Sequence, residues 1–316
     1  MARVSFFLTL LAAIGVAFAG QAMARDSGDG VLRMMNFGGS CRGCSLAGRK
    51  LTGASFTGGD FSKAILAGAD LRGASFTGTR FVGADFTRAD LRSASLLGAD
   101  FANAMFVDAR MDGLQGAAPN FSDADLRRAN LSASELTAAN FSRAALGDAR
   151  FIGAALQSSV FIAADCQRAD FKSADLSNAQ LVHGKFNDAS FREATLEGAN
   201  LTEGQFNRAD FRSASLERAI LIGGQFARAD FRGANLEGAQ LFGADLSTAH
   251  GLDQEQIDDA CGDANTRLPA GLTLKSCRGR PDMHRAWVVH AIPPIPPVPA
   301  APAAPAAPGI RYLLSD

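Results

Sequence analysis

The residues best equipped for chemistry are five cysteines, four histidines and a long series of carboxylates. Cys41 and Cys44 stand in a Cys-x-x-Cys spacing, which can carry thiol–disulfide exchange or supply two ligands to a zinc ion. Nothing around the pair has the strand-and-helix pattern of a thiol oxidoreductase, and Ser45 stands where haem attachment would need a histidine. Cys261 and Cys277 flank a loop near the other end of the chain, and Cys166 is alone in the middle. His183, His250, His284 and His290 are scattered, and Asp and Glu recur at regular intervals rather than in a cluster. Catalysis needs titratable groups that converge in a pocket, so the chain reads as a non-enzyme with no catalytic, cofactor-binding or metal-binding residues.

What must position these residues is a five-residue period. Every fifth residue from Leu46 to Leu246 gives 41 positions, of which 38 are Leu or Phe and the others Met111, Gly116 and Cys166. Two residues before each such centre the occupant is nearly always Ala, as at Ala69 before Leu71 and Ala209 before Phe211. A helix repeats in 3.6 residues and a strand in 2, so neither produces this pattern. A chain that turns a corner in every unit does, with one large and one small apolar side chain inward and three residues outward.

Stretches such as GADFTRADLRSASLLGADF, from Gly83, resemble the A(D/N)LXX motif of the pentapeptide repeat family, and the resemblance covers about two thirds of the chain. It implies an all-β fold, a right-handed quadrilateral parallel β-helix with four pentapeptides per coil. The coil length has independent support. From Phe171 the centres read F L L F F L L F F L L F, and 11 of the 12 centre pairs from Phe171 to Phe226 match at a spacing of 20 residues. The segments beginning at Phe191 and Phe211 share 13 of 20 residues. Phe151, Phe171, Phe191, Phe211 and Phe231 should therefore form one inner column, and Leu156, Leu176, Leu196, Leu216 and Leu236 another. About ten such coils at one strand spacing each make a solenoid roughly 50 Å long.

The same register predicts the surface. One outward column reads Arg88, Asp108, Arg128, Asp148, Arg168, Asp188, Arg208, Arg228, and beside it runs Asp90, Arg110, Asn130, Arg150, Asp170, Ser190, Asp210, Asp230. Alternating signs predict an ion-pair ladder that sets register and solubility, with a binding site as the alternative. One coil departs from the rule: Gly116 has lost its large side chain, and Leu114 and Pro119 stand where Ala belongs. The phase continues unbroken beyond it. The expectation is a distorted coil in which Leu114 or Met111 fills the gap, or else a notch for a partner.

A stack of strands exposes an edge at each end, so capping segments are expected. In GLDQEQIDDACGD, from Gly251, Asp253 can N-cap a short helix with Gln256 three residues on, Leu252 can staple to Ile257, and Gly262 can end it. The segment also resembles the tail that commonly follows pentapeptide solenoids. Cys261 and Cys277 are expected to be bonded. Cys41 and Cys44, at the first coil, read as a capping disulfide, with reactive or metal-binding thiols as the alternative; zinc held by all four fails on distance. Cys166 occupies an inner centre and reads as a buried small apolar residue.

Residues 1–24 have Arg3, an apolar stretch from Val4 to about Gly20 and small residues at Ala22 and Ala24, the pattern of a signal peptide cleaved after Ala24. The apolar run is shorter than a spanning helix needs, which sets aside the alternative of a retained anchor. The expected organisation is leader 1–24, linker 25–40, solenoid 41–251, short helical cap 252–279 and a Pro/Ala-rich tail 280–316. The tail reads as a semi-rigid polyproline spacer, with a disordered tail or a tether to a partner or the envelope as the alternatives. Export predicts a periplasmic or secreted protein with no stable membrane insertion.

Between Leu46 and Ala249 there are 23 acidic and 21 basic residues, and the chain's formal net charge is -1. The family resemblance includes rods that mimic DNA and bind topoisomerases, but such mimicry needs a strongly negative surface. A nucleic-acid partner is not expected on the same ground. What the sequence supports is an exported, non-catalytic scaffold or protein-interaction module, with a protein partner it does not identify.

Overall fold

Outside the irregular coil around Gly116, each five-residue unit uses its backbone hydrogen bonds in the same way. The centre donates its N–H to a carbonyl 19 residues ahead, as Phe191 does to Asp210 at 2.8 Å, and the residue before a centre donates 21 residues back, as Asp210 does to Ala189 at 3.0 Å. The residue two before the next centre donates to the preceding centre's carbonyl, as Ala209 does to Phe206 at 3.1 Å, which closes a four-residue turn. The third residue of these turns has positive φ, between +53° and +68°, at each fifth position from Gly43 to Gly243. That geometry is a type II turn. Four turns occupy twenty residues, and isolated parallel bridges pair residues 20 apart from Ser40–Asp60 to Asp230–His250. The result is a right-handed β-helix in which like positions stack.

The structure, a computed structural model, describes residues 39–277. The expected leader (1–24), the linker up to residue 38 and the chain beyond Cys277, including the Pro/Ala-rich tail, lie outside the described residues.

One donor per unit is left over, the N–H of the residue after each centre. Where Asp or Asn precedes the centre, its side chain accepts that N–H: Ser142 donates to Asn140 Oδ1 at 3.0 Å and Arg212 to Asp210 Oδ1 at 3.0 Å. This is the physical reason for the recurrent Asp and Asn, since an unpaired backbone donor in a packed wall is costly.

Inside, rings stack on rings. Phe171, Phe191, Phe211 and Phe231 lie one above another with centroids 5.0 to 5.1 Å apart and planes within 9° of parallel. In the lower coils the continuous column is instead Phe61 to Phe161. The two columns overlap where Phe151 meets Phe141 and Phe161 edge-on. Gly184, Gly204 and Gly224 each lie under the ring two residues on, where a Cβ would approach Phe186, Phe206 or Phe226 to 2.4 to 2.7 Å. Glycine replaces alanine there because the ring occupies the methyl's space.

At the C-terminal edge, α1 (Gln254–Asp258) begins with a capping box between Asp253 and Gln256. Strands β1 (Cys261–Gly262) and β2 (Lys275–Ser276) follow and pair in parallel. Cys261 bridges Gln240 and Arg267 bridges Asp245, so this segment continues the ladder above the last coil. Gly262 does not end the helix, contrary to the sequence expectation. The helix stops at Asp258 because Cys261 must enter the strand position above Ala239, whose carbonyl its N–H reaches at 3.0 Å. Glycine is needed at 262 for space, since a Cβ would meet Leu274 at 2.5 Å and Thr266 at 2.6 Å.

Candidate functional site

With the interior filled, function must reside on outward columns or at the ends. The expected corner ladder resolves into discrete pairs. Arg128 grips Asp108 through Nε and Nη2, at 2.7 and 2.8 Å, and Arg168 with Asp148 and Arg208 with Asp188 repeat the arrangement. Each arginine reaches down one coil. The same arginine makes no such bond to the carboxylate above, which is gripped by the next arginine up, because a guanidinium fork holds one carboxylate in this geometry. The side-chain hydrogen bond from each arginine holds Asp108, Asp148 and Asp188 below the usual carboxylate range.

The neighbouring column pairs differently from the sequence expectation. Its aspartates are held mainly within their own unit: Arg72 to Asp70, Arg92 to Asp90, Arg212 to Asp210 and Arg232 to Asp230. Arg110 reaches Asp90 only at 3.6 Å. The hydrogen bond from Arg72 draws the Asp70 carboxyl down to about 2. A surface depression of about 430 Å³ lies on this charged face against Arg72, Gly73, Arg92, Ser93 and Asp112. Both of its guanidiniums are already committed to carboxylates, and Asp112 adds negative charge, so it is poorly suited to an anion.

The opposite face was not anticipated. Its outward positions, every twentieth residue from Asn120 to Gln240 and from Ser122 to Phe242, carry no Asp, Glu, Lys or Arg over seven coils. Every outward side chain of the solenoid that is buried lies here, among them Asn140, Ser142, Val182 and Asn200. Asn140 donates to Asn120, Asn120 donates to Asp100, and Asn200 donates to Gln180, so the amides bond along the column. Ile162 and Val182 are buried in the same rows. The signal was present in the sequence: once the coil is known to be twenty residues, reading two columns exposes the missing charges.

The residues singled out for chemistry do not converge. The structure bonds Cys41 to Cys44 across the first turn and Cys261 to Cys277 across the last loop. Cys166 is buried, which pushes its thiol well above the ordinary value. Among the described residues no three His, Cys, Asp or Glu side chains come together as metal ligands. His183 faces Glu203 at 3.3 Å on an exposed corner, and among the described residues no other titratable group joins that pair in an ion pair.

In the irregular coil, Met111 and Leu114 are fully buried and fill the interior beside Gly116, whose absent Cβ would lie 3.0 Å from Leu96. Among the described turns, only those ending at Leu114 and Pro119 lack the closing hydrogen bond. Proline has no N–H to give. Bridges Ser95–Gln115 and Gln115–Glu135 nevertheless keep the stack in phase. The depression against Arg72 and Arg92 is lined by Asp112, in the first of these two turns, but not by Met111, Leu114, Gly116 or Pro119.

The family model described as "Pentapeptide repeats" matches the chain in eight copies, the first at residues 40–78 and the last at 209–247, and passes over residues 114–119. Among solved structures the chain is similar to HetL, a pentapeptide repeat protein involved in heterocyst differentiation regulation in the cyanobacterium Nostoc, at 26% identity over 71% of this chain and 94% of that one, with a TM-score of 0.33. It is similar to QnrB1, a plasmid-mediated fluoroquinolone resistance protein, at 18% identity over 72% and 92%, with a TM-score of 0.27. A pentapeptide repeat protein of the Arabidopsis thaliana thylakoid lumen aligns at 22% identity over 50% and 68%, with a TM-score of 0.15. No curated protein matches the chain.

Proposed function

The chain belongs to the pentapeptide repeat family, and on that premise we propose that it is a non-catalytic, exported scaffold or protein-interaction module. One observation carries this reading: inward positions are closed by Phe, Leu and Ala, so what the molecule offers other molecules is an ordered outer surface. Its thiols are bonded or buried, and its acidic groups are spread along columns. In detail we read the solenoid as a quadrilateral of about ten coils over residues 41–251, with 252–279 as its cap. Bridges at twenty-residue intervals and the hydrogen bonds from Leu241 to Cys261 and from Leu246 to Arg267 support that division.

Export rests on the N-terminal sequence and suits two disulfides, which persist in an oxidising compartment. No helix among the described residues is long and apolar enough to cross a membrane. The rival reading, a DNA-like rod, is opposed by 23 acidic against 21 basic residues in the repeats and by arginines paired along a corner.

Affinity capture from the native envelope fraction, with the intact protein and with residues 280–316 removed, tests the proposal. A protein retained by both forms places the contact on the solenoid, and one lost with the deletion places it on the tail. Capture of nothing above the blank resin, or inhibition of DNA supercoiling by purified protein, overturns it.

A further inference from the structure

We propose that the neutral face binds a second copy of this chain, antiparallel, with the two-fold axis at the coil of Gln180 and Val182. Four observations lead there. The face carries no Asp, Glu, Lys or Arg at its outward strand positions over seven coils, so a charged partner surface would be stripped of water with nothing to pair against. Its polar groups already bond to one another: Asn140 Oδ1 accepts the Ser142 N–H and hydroxyl while its amide donates to Asn120, so covering them strands few donors or acceptors. The matching surface must be neutral, and this molecule carries one with the same strand spacing.

The third observation is self-complementarity at the flanking corners. Antiparallel apposition about the Gln180 coil keeps each corner beside its own counterpart and inverts the order of coils. Asp123 then meets Gly243, Arg143 meets Gly223 and Glu203 meets Ala163. On the other corner Arg218 meets Ala138, and Ser158 meets Gly198. No Asp, Glu, Lys or Arg at these corners opposes another charged residue, and in the axial coil His183 and Asn178 each meet their own counterpart. The rows between the corners behave alike, with Ser122 opposite Phe242, Ser142 opposite Ile222, and Ile162 opposite Thr202.

The fourth is size. Seven coils at one strand spacing and a face five residues wide give about 500 Å² a side, or about 1,000 Å² in all, which is the lower bound for a specific interface. The association should therefore be reversible, with a dissociation constant in the micromolar range.

Sedimentation velocity on the purified protein between about 1 and 100 µM should show monomer converting to dimer. Gln180→Arg, which sets two like charges together at the axis, should weaken association at least tenfold with an unchanged melting temperature. Ser190→Arg, on the charged face, should leave it unaltered. With four cysteines bonded and Cys166 buried, an introduced cysteine is the accessible thiol. Gln180→Cys should cross-link to its counterpart under oxidation, whereas Gln240→Cys, roughly 29 Å from its own, should not. A monomer throughout, undiminished dimer in Gln180→Arg, or equal cross-linking at 240 would overturn the proposal. A monomer that still captures an envelope protein sinks the dimer alone, and a dimer that captures none sinks only the envelope reading.

Discussion

Asn140 on the neutral face and Asp210 on the charged face do the same backbone task with opposite consequences for the surface. Each accepts the N–H two residues on, at 3.0 Å. Asn140 then uses its remaining capacity along the column, donating to Asn120 at 3.2 Å, and lies 8% exposed beside a fully buried Ser142. Asp210 uses its remaining capacity on the Arg212 guanidinium, at 2.8 and 2.5 Å, and both side chains stay partly in water. The coil needs an acceptor at this position and is indifferent to its charge. Outward chemistry can therefore vary from face to face without disturbing the interior.

That comparison can be broken or sharpened in four ways. Both faces hang on the same core, so Phe141→Ala behind the neutral face and Phe211→Ala behind the charged one should each cost about 3–5 kcal/mol in denaturant unfolding. A large inequality would mean that the faces are not independent of what they cover. Replacing Cys261 with Ser opens a loop of sequence separation 16 and should cost about 3 kcal/mol under non-reducing conditions, belonging to neither face. Next in size, Asn140→Ala should cost about 2 kcal/mol because it strands the buried Ser142 groups, whereas Asp210→Ala should cost under about 1 kcal/mol where water can replace the lost acceptor. Equal losses would remove burial as the difference between the faces.

The smallest effect is electrostatic. Hydrogen bonds from Arg72, Arg92, Arg212 and Arg232 hold Asp70, Asp90, Asp210 and Asp230 below their ordinary values, Asp70 at about 2. A carboxylate depressed in the folded state contributes stability above its unfolded value of about 3.9, and that contribution is lost as pH falls through the folded value. The melting temperature should fall between about pH 4 and pH 2, less so in high salt, while amide exchange quickens first along the charged face. Arg168→Ala, on the exposed corner, should leave the unfolding midpoint indistinguishable from that of the parent protein. Exchange that quickens first on the neutral face would contradict the assignment.

Much of the fold was legible because a core repeating every five residues leaves its mark on every unit. Phe191, Phe211 and Phe231 stack, and Cys166 is buried, as the register requires. The helix start at Asp253 was legible from its capping box, but its end was not. Gly262 has the composition of a helix terminator, and only the strand position waiting above Ala239 shows why the chain leaves the helix earlier. The corner charges pointed to pairing, yet not to its direction or to the competing pairs such as Arg72 with Asp70. The neutral face shows in the sequence only when residues 20 apart are aligned, because its Asn, Ser, Gln and aliphatic residues become one surface only in the stacked coil.

The amino-acid order alone determined which side chains point inward and how many residues make a coil, since both follow from a period that local turns enforce. Which outward groups become partners was decided only by the folded stack. Residues 20 apart are strangers until the coils close on one another, and whether an arginine then turns to its own unit or to the coil beneath depends on side-chain reach and burial that no linear pattern records.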